Sequence, residues 1–182
     1  QRFSPRGVGH VVFGGMGEPL LNLENLLAAI RILSTEVGLS LRHITVSTVG
    51  LVPQIDRLAA ERLPIHLALS LHSPIDEVRS RLMPVNNRWP VAEVVEAMRR
   101  YQAATGRKVT FEYLLIDQTN DTPEQAEHLA RLVKGLSCVV NLIPFNYVET
   151  PNGFRRPGRE RVAEFRRILE SRRVNVTERG ER

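Results

Sequence analysis

Small polar or ionisable residues follow five successive apolar segments of this sequence, and they are the side chains that could do chemistry. In chain order they are Gly17 and Glu18, Ser47, Ser70 and His72, Asp117 and Asn120, and Asn146. When parallel strands lie side by side, the residues after their carboxyl ends converge on one edge of the sheet. Polar groups are costly to bury unless they find partners. The pattern therefore predicts one shared ligand at that edge.

The first group, GGMGEPLLN from Gly14 to Asn22, combines closely spaced glycines with a single carboxylate. Glu18 suits an ammonium or sulfonium ligand, because charge-assisted hydrogen bonds are strong. The same glutamate could instead cap the following helix and favour its positive end. The segment does not fit the dinucleotide-binding fingerprint, since Leu20 stands where the third glycine would be.

Each of the other residues also has an ordinary structural role open to it. Ser47 and Ser70 could bond loop amides. His72 could be a general base, a hydrogen-bond donor to a ligand or a structural histidine. We assign Asn120 to a turn before a helix and leave it out of the site. The sequence contains no signature of a serine hydrolase, a phosphate-binding loop or a zinc metalloprotease.

The elements that position these residues alternate in type along the chain. Short β-branched apolar runs predict strands at 9–13, 43–47, 65–71, 108–116, 138–143 and 174–177. Amphipathic segments predict helices at 23–37, 52–62, 91–104, 123–134 and 159–172. Asn22 is expected to cap the first helix, and Thr122 before Pro123 the fourth. The alternation predicts an α/β fold with parallel strands that fits a barrel, or part of one, at least as well as a doubly wound sheet.

Composition limits the class of protein. The 182 residues, 42% of them apolar, suit one domain spanning 1–182, soluble and cytoplasmic, with no segment that crosses a membrane. The lone Cys138 cannot form an internal disulfide, or by itself hold an iron–sulfur cluster or a structural zinc ion. The net charge of +5 comes from residues 155–182, which carry 10 Arg and 5 Glu and could contact RNA phosphates. Because 23 of the 25 basic residues are Arg, a general composition bias explains this segment better than selection for RNA binding.

Six segments together resemble one family. They are VVFGGMGEPLLN, ITVSTVGLVP, LALSLHSP, RLMPVNNRWP, VTFEYLLID with the following ND, and VNLIPFN. In this order and spacing they resemble the RlmN-type dual-specificity RNA methyltransferases, which are radical S-adenosylmethionine enzymes. The resemblance implies a partial (β/α)6 radical SAM barrel, the cofactors S-adenosylmethionine and a [4Fe-4S] cluster, and methylation of C2 of adenine in 23S rRNA and tRNA.

The resemblance also assigns the site. Gly17 and Glu18 would hold the methionine amino end of S-adenosylmethionine, and the remaining cofactor contacts would come from Ser47, Ser70, Leu71, His72 and Asn146. The family's C-x-x-x-C-x-x-C cluster motif and its methyl-carrying cysteine are not in this sequence, so we expect no metal ligand and no catalytic residue here. Both ends look cut. We therefore expect a monomeric, cofactor-holding fragment that is inactive by itself.

Four residues depart from the family pattern: Gly14 replaces Met, Ile75 a polar residue, Tyr147 Pro, and Gly158 Ser. Three other functions stay open. One is the sister class that methylates C8 of adenine, although Pro19 favours the C2 enzymes. Another is a metal-free barrel enzyme that acts on a small phosphorylated substrate with Glu18 and His72 as acid and base. The last is a non-catalytic, Arg-rich RNA-binding module.

Overall fold

A computed structural model describes residues 8–146 and 153–179 of the chain. The strands are β1 (Val11–Phe13), β2 (Ile44–Thr48), β3 (His66–Ser70), β4 (Val109–Leu115), β5 (Cys138–Pro144) and β6 (Asn175–Glu178). The α-helices are α1 (Leu23–Thr35), α2 (Val52–Ala60), α3 (Asp76–Leu82), α4 (Val91–Thr105), α5 (Pro123–Leu132) and α6 (Arg159–Ser171). Short 3-10 helices lie at Pro19–Asn22, Leu41–His43 and Pro84–Asn87.

The strands form one six-stranded sheet in which spatial order follows chain order from β1 to β6. Every neighbouring pair is parallel. A doubly wound sheet reverses its strand order at a switch point, whereas a barrel adds each new strand on the same side. The predicted α/β fold, a partial barrel of parallel strands, is therefore confirmed. Among the described residues β1 and β6 are edge strands, so the sheet does not close.

The two faces of the sheet differ in polarity. Along β4 and β5 every second residue is fully buried, and these side chains pack beneath the helices as part of the core. The alternate residues face the other side and are half-buried, and several of them are polar. In register on this open face, Asn141 Nδ2 donates to Glu112 Oε2 at 2.7 Å and Thr177 Oγ1 donates to Asn141 Oδ1 at 2.9 Å. Such a polar lining suits the inside of a barrel that receives a ligand.

All predicted strands and helices are present, although their ends are shifted. Two features differ from the prediction: the cap at Asn22 and the presence of helix α3. Thr122 forms the expected cap: its side chain accepts from Gln125 N, and the Gln125 side chain accepts from Thr122 N. Asn22 occupies the N-cap position of α1, but its Oδ1 accepts from Asn25 Nδ2 at 2.7 Å and caps no backbone amide. That part of the prediction is wrong. Helix α3 was not predicted. No helix in the described ranges is both long and apolar enough to cross a membrane.

Candidate functional site

The turn after β1 depends on glycine. Gly15 and Gly17 have φ angles of +105° and +113°, where side chains are rarely tolerated. These two residues reverse the chain, and Glu18 follows in extended conformation as the N-cap of the 3-10 helix Pro19–Asn22. The glycines therefore present the backbone of the turn, and one carboxylate, at the carboxyl end of β1.

Both oxygens of Glu18 contact backbone amides. Oε1 accepts from Leu20 N at 3.0 Å, and Oε2 accepts from Val49 N at 2.7 Å. The first bond is the helix cap that the sequence left open as an alternative, and the second ties this turn to the loop after β2. A carboxylate has about four acceptor positions. Glu18 is only half-buried, so it keeps acceptor capacity for a ligand while it organises the turn.

The end of β1 lies close to Ser47, which is half-buried on the open face of β2. A Cβ atom at Gly14 would lie 3.2 Å from the Cβ of Ser47, which is tighter than ordinary van der Waals contact. Gly14 does not have positive φ. The absence of a side chain at Gly14 allows β1 to approach Ser47 closely. The Met of the family pattern at this position would require these atoms to shift.

The end of β3 brings Ser70, Leu71 and His72 to the same edge of the sheet. Ser70 is half-buried and pairs in register with Glu112 on the open face. Leu71 is different, because its side chain is fully buried in the core. Its amide donates to Glu112 O at 3.0 Å, and its carbonyl accepts from Ser73 N at 2.8 Å. Leu71 thus belongs to the frame of the site, and its contact with a cofactor stays a prediction.

Arg79 joins the loops after β2 and β3, and sequence reasoning missed it. It is fully buried. Its Nη2 donates to Val49 O at 2.7 Å and to Ser70 O at 3.2 Å, and its Nε donates to Leu71 O at 3.0 Å. Nη1 donates to Asn86 Oδ1 at 2.9 Å. Burial lowers the pKa of Arg79 to about 10, so the guanidinium remains charged at neutral pH.

Asn120 holds His72, and this role was also missed. Asn120 is fully buried. Its Nδ2 donates to the carbonyls of His72 and Leu114, both at 2.6 Å, and its Oδ1 accepts from Ile116 N at 2.7 Å. Asn120 lies in the turn that precedes α5, as predicted, and its side chain has the further role of joining the loop after β3 to the end of β4. No signal in the sequence distinguishes such a buried asparagine from an exposed one.

Asn146, the last predicted contact, follows β5. It is exposed and follows Phe145, whose amide donates to Leu115 O at 2.9 Å. The carboxyl end of β5 therefore lies beside that of β4. Within the described ranges no hydrogen bond joins Asn146 to Glu18 or to the β3 loop. Tyr147, the departure expected to affect this contact, lies outside the described residues.

A cavity of about 480 Å³ lies beside the turn rather than over the strand ends. Glu18 and Gly17 line it together with residues of β1 and α1, including Asn25 and Ala29. None of the predicted contacts on β2, β3 or β5 lines it. The convergence of polar groups and the cavity thus define two different places for a ligand, which share only the turn after β1.

Metal-binding residues are not assembled in the described part of the chain. It contains no group of three or more His, Cys, Asp or Glu side chains that could hold a metal ion. Cys138 is buried at the start of β5, and burial raises the pKa of its thiol to about 11. The thiol is therefore protonated and unreactive at neutral pH.

Surface carboxylates balance part of the Arg-rich segment. Arg166 lies 2.8 Å from Glu170, Arg161 lies 3.2 Å from Glu164, and Arg172 lies 2.9 Å from Glu127 on α5. These pairs are largely solvent-exposed and contribute little to stability. They do reduce the positive field that α6 offers to a phosphate backbone, which weakens the case for an RNA-binding module built on this helix alone.

Comparisons with known proteins agree with the geometry. The model of the Radical SAM superfamily matches residues 1–133. The probable dual-specificity RNA methyltransferase RlmN of Symbiobacterium thermophilum is 52% identical over 185 residues, which cover 100% of this chain and 50% of that protein. The protein of the same name from Thermobifida fusca is 51% identical over 183 residues, covering 98% and 50%.

A solved structure agrees as well. The crystal structure of a radical SAM methyltransferase from Sphaerobacter thermophilus is 50% identical, with a TM-score of 0.90, and the match covers 94% of this chain and 51% of that one. The chain thus spans about half the length of the curated relatives it matches.

Proposed function

The chain belongs to the radical SAM superfamily, and on that premise we propose that it holds S-adenosylmethionine for an RlmN-type RNA methyltransferase. Enzymes of this superfamily use S-adenosylmethionine together with a [4Fe-4S] cluster. The names of relatives that are about half identical to this chain support the methyltransferase class. The observation that carries the proposal is the carboxylate of Glu18, fixed at the carboxyl end of β1 by a hydrogen bond from Val49 N in the loop after β2.

The residues present fit the cofactor. Glu18 accepts the ammonium group of the methionine part, because both oxygens retain acceptor positions and two backbone amides fix their orientation. Gly17 allows the backbone to approach the amino acid part. Ser47, Ser70 and His72 receive the rest of the molecule, with Leu71 and Asn146 as further predicted contacts. Bound S-adenosylmethionine supplies the methyl group and, with a reduced cluster, the radical.

The residues of this sequence do not fit the iron–sulfur cluster. The sequence has a single cysteine, Cys138, which is buried at the amino end of β5, away from the strand ends that carry the site. We assign no reaction step through the cluster to these residues. The role proposed for this chain is to bind and orient the cofactor, and we propose that it catalyses no methylation by itself.

The proposed substrates follow from the same relatives. We propose that the complete enzyme methylates C2 of adenine in 23S rRNA and in tRNA, in the cytoplasm and as a monomer. The finer choice between C2 and C8 depends on Pro19, which the resemblance associates with the C2 enzymes. The test is mass spectrometry of nucleosides from RNA treated with an enzyme that carries this chain together with the cluster-binding segment and the segment with the methyl-carrying cysteine. We expect 2-methyladenosine, and 8-methyladenosine as the product would refute the proposed site of methylation.

Cofactor binding by the 182-residue chain can be tested directly by calorimetry. We expect Glu18→Gln to weaken S-adenosylmethionine binding about 10- to 100-fold, because hydrogen bonds to charged groups contribute about 1.5–3 kcal/mol. 5′-Methylthioadenosine, which lacks the amino acid part, should bind both proteins equally. Glu93→Gln is the matched control, since Glu93 is exposed on α4. Equal affinities of the Glu18 and Glu93 variants for S-adenosylmethionine would refute the assignment of Glu18.

A further inference from the structure

Another cavity, of about 380 Å³, lies at the carboxyl ends of β5 and β6 and has a strongly positive lining. Pro144, the last residue of β5, lines it together with the residues that end β6 and the first turns of α6. The charged side chains that the structure describes in this lining are Arg156, Arg159, Arg166, Arg179 and Glu178. We call this cavity the arginine crevice. The predicted cofactor contacts do not account for it, because none of them lines it.

The arginines of the crevice differ in how far carboxylates neutralise them. Arg166 lies 2.8 Å from Glu170 and 3.9 Å from Glu178, and these carboxylates balance its charge. Arg159 and Arg179 are exposed, and in the part of the chain that the structure describes their side chains make no ion pair and no hydrogen bond. An anion that enters the crevice therefore meets two guanidinium groups that no carboxylate occupies.

The crevice lies at the edge of the sheet that carries the cofactor site. Arg179 N donates to Leu142 O at 2.9 Å, which continues the pairing of β5 and β6 to their carboxyl ends. Arg155 O accepts from Asp117 N at 2.9 Å and fixes the segment before α6 to the loop after β4. The charge of Arg179 also acts on the open face of the sheet: burial raises the pKa of Glu112, and Arg179 works in the opposite direction. The crevice thus opens beside the barrel mouth.

The chemistry and the place of the crevice favour a phosphate group within a nucleic-acid strand. A guanidinium presents a planar fork of N–H donors that matches the oxygens of a phosphate. A flat membrane surface cannot enter a cavity between a helix and the ends of two strands. An enzyme that modifies a base draws it out of its stack, so the sugar–phosphate backbone stays at the entrance of the site. The crevice lies where that backbone passes.

We propose that the arginine crevice binds a phosphodiester group of the RNA strand that carries the target adenosine, with Arg159 and Arg179 as its joint ligands. That the polymer is RNA rests on the proposed function, whereas the anion site itself does not. Contacts to phosphates position a strand without reading its sequence, so the crevice sets the register of the RNA at the barrel mouth. It uses one arginine of α6 and one that follows β6, and not the outward face of α6.

The salt dependence of RNA binding by the 182-residue chain tests the site. The probe is a short, fluorescein-labelled single-stranded RNA, and anisotropy gives its affinity between about 50 and 200 mM salt. We expect the Arg159→Gln/Arg179→Gln double variant to bind about tenfold more weakly at the low-salt end. The slope of log affinity against log salt should become shallower by about 0.7, the value for one phosphate of a single strand.

The matched control removes the same charge elsewhere on the chain. Arg42 is exposed at the amino end of β2, and Arg167 is exposed on α6 without lining the crevice. The Arg42→Gln/Arg167→Gln double variant should lose less than about threefold in affinity and keep the original slope. Equal losses in the two folded double variants would overturn the proposal, because net charge alone would then explain the binding. So would the absence of RNA binding by the original chain at low salt.

Glu178 provides a test in the opposite direction. It contributes a carboxylate to the described lining of the crevice, and its charge opposes a bound anion. Glu164 is the matched control, because it lies on α6 outside the crevice and also pairs with an arginine, Arg161. We expect Glu178→Gln to raise RNA affinity about two- to threefold more than Glu164→Gln does. Equal gains would contradict a local anion site.

Two further measurements identify the polymer and separate this proposal from the cofactor site. The Arg159→Gln/Arg179→Gln variant should bind S-adenosylmethionine as the original chain does in calorimetry. A chain that binds S-adenosylmethionine, but whose RNA affinity does not depend on these arginines, keeps the cofactor site and loses the crevice; the reverse result does the opposite. Displacement of the RNA by polyglutamate or by phosphatidylserine vesicles, at equal concentration of charge, would overturn RNA as the occupant.

Discussion

The turn after β1 and the loop after β3 hold the two ends of the candidate site by different means. The turn contains two glycines with positive φ, and its Met16 is fully exposed. Its main link to the rest of the sheet is the bond between Glu18 and Val49. The loop after β3 is fixed by Arg79 and Asn120, which are fully buried and make four and three side-chain hydrogen bonds, respectively.

This difference indicates a division of labour within one site. Regions with few buried contacts open easily, whereas buried hydrogen-bond networks make a region rigid. In the proposed binding mode, the amino acid part of the cofactor meets a turn that can adjust, and the nucleoside part meets the preformed loop after β3. Mutations of Arg79 and Asn120, the buried frame of the loop after β3, should accordingly lower stability most. Mutations in the turn after β1 should lower it less.

The largest effect is expected at Arg79. Arg79→Met removes the donor of four hydrogen bonds, two of them fully buried and two partly buried, and each buried group left unsatisfied costs about 1–3 kcal/mol. We expect the free energy of unfolding in urea to fall by about 3 kcal/mol or more. Arg81→Met, on the exposed side of α3, is the matched control and should change it by less than about 0.5 kcal/mol. Similar losses in the free energy of unfolding for the two variants would mean that the hydrogen bonds of Arg79 stabilise the fold no more than an exposed arginine does.

A slightly smaller effect is expected from acid. The pKa of His72 falls from its ordinary 6.5 to about 4 on folding, mainly through burial. Between these pH values the unfolded chain binds a proton that the folded chain does not. The free energy of unfolding should therefore decrease as the pH falls from about 6.5 to 4, by up to about 3 kcal/mol.

The control for the acid effect is His72→Gln, which lacks this titration. Urea unfolding at a series of pH values should give a shallower dependence for the variant than for the original chain in this range. Parallel curves would contradict the neutral, buried state of His72. His66, whose pKa is also lowered by burial, is present in both proteins and cancels in the difference.

The turn should give intermediate effects. Gly17→Ala places a side chain at φ +113°, which costs about 1–3 kcal/mol. Gly9→Ala is the matched control, because Gly9 does not have positive φ and a Cβ there has no neighbour within 4 Å. We expect thermal unfolding to separate the two variants, and cofactor affinity to fall only for Gly17→Ala. A loss as large as that of Arg79→Met would show that the turn is as rigid as the frame.

The smallest effect is expected at a position that belongs to neither region. Gly158 is the N-cap of α6 and makes no side-chain cap. Gly158→Ser, the residue of the family pattern, supplies an oxygen for a free amide and should raise stability by a few tenths of a kcal/mol. Gly158→Ala should lower it. Thermal unfolding of both variants measures the size of stability changes that are unrelated to the site. A Gly158→Ala protein more stable than the Gly158→Ser protein would contradict the capping geometry.

Most helices and strands were predictable from the sequence because the apolar residues of each element lie on one of its faces. The alternation in β4 and β5, and the capping sequence at Thr122, each reflect local chemistry that the structure preserves. Helix α3 was not predictable in the same way, since it has only seven residues and begins after Ile75, which cannot cap it. A polar residue at this position, as in the family pattern, would have marked its start.

The site was predictable only in part. Glu18, Ser47 and Ser70 stand where strands end, and strand ends can be read from hydrophobic patterns. Arg79 and Asn120 could not be found this way, because arginine on a helix and asparagine in a turn are usually exposed. Their burial depends on loops that are distant in sequence, and only the folded chain brings these together.

The most direct test of the central claim is a crystal structure of the chain with S-adenosylmethionine bound. We expect the ligand's amino nitrogen at about 2.7–3.2 Å from a carboxylate oxygen of Glu18, and its nucleoside part beside Ser70 and His72. A ligand confined to the cavity between β1 and α1, or bound with its amino group away from Glu18, would contradict the proposed binding mode.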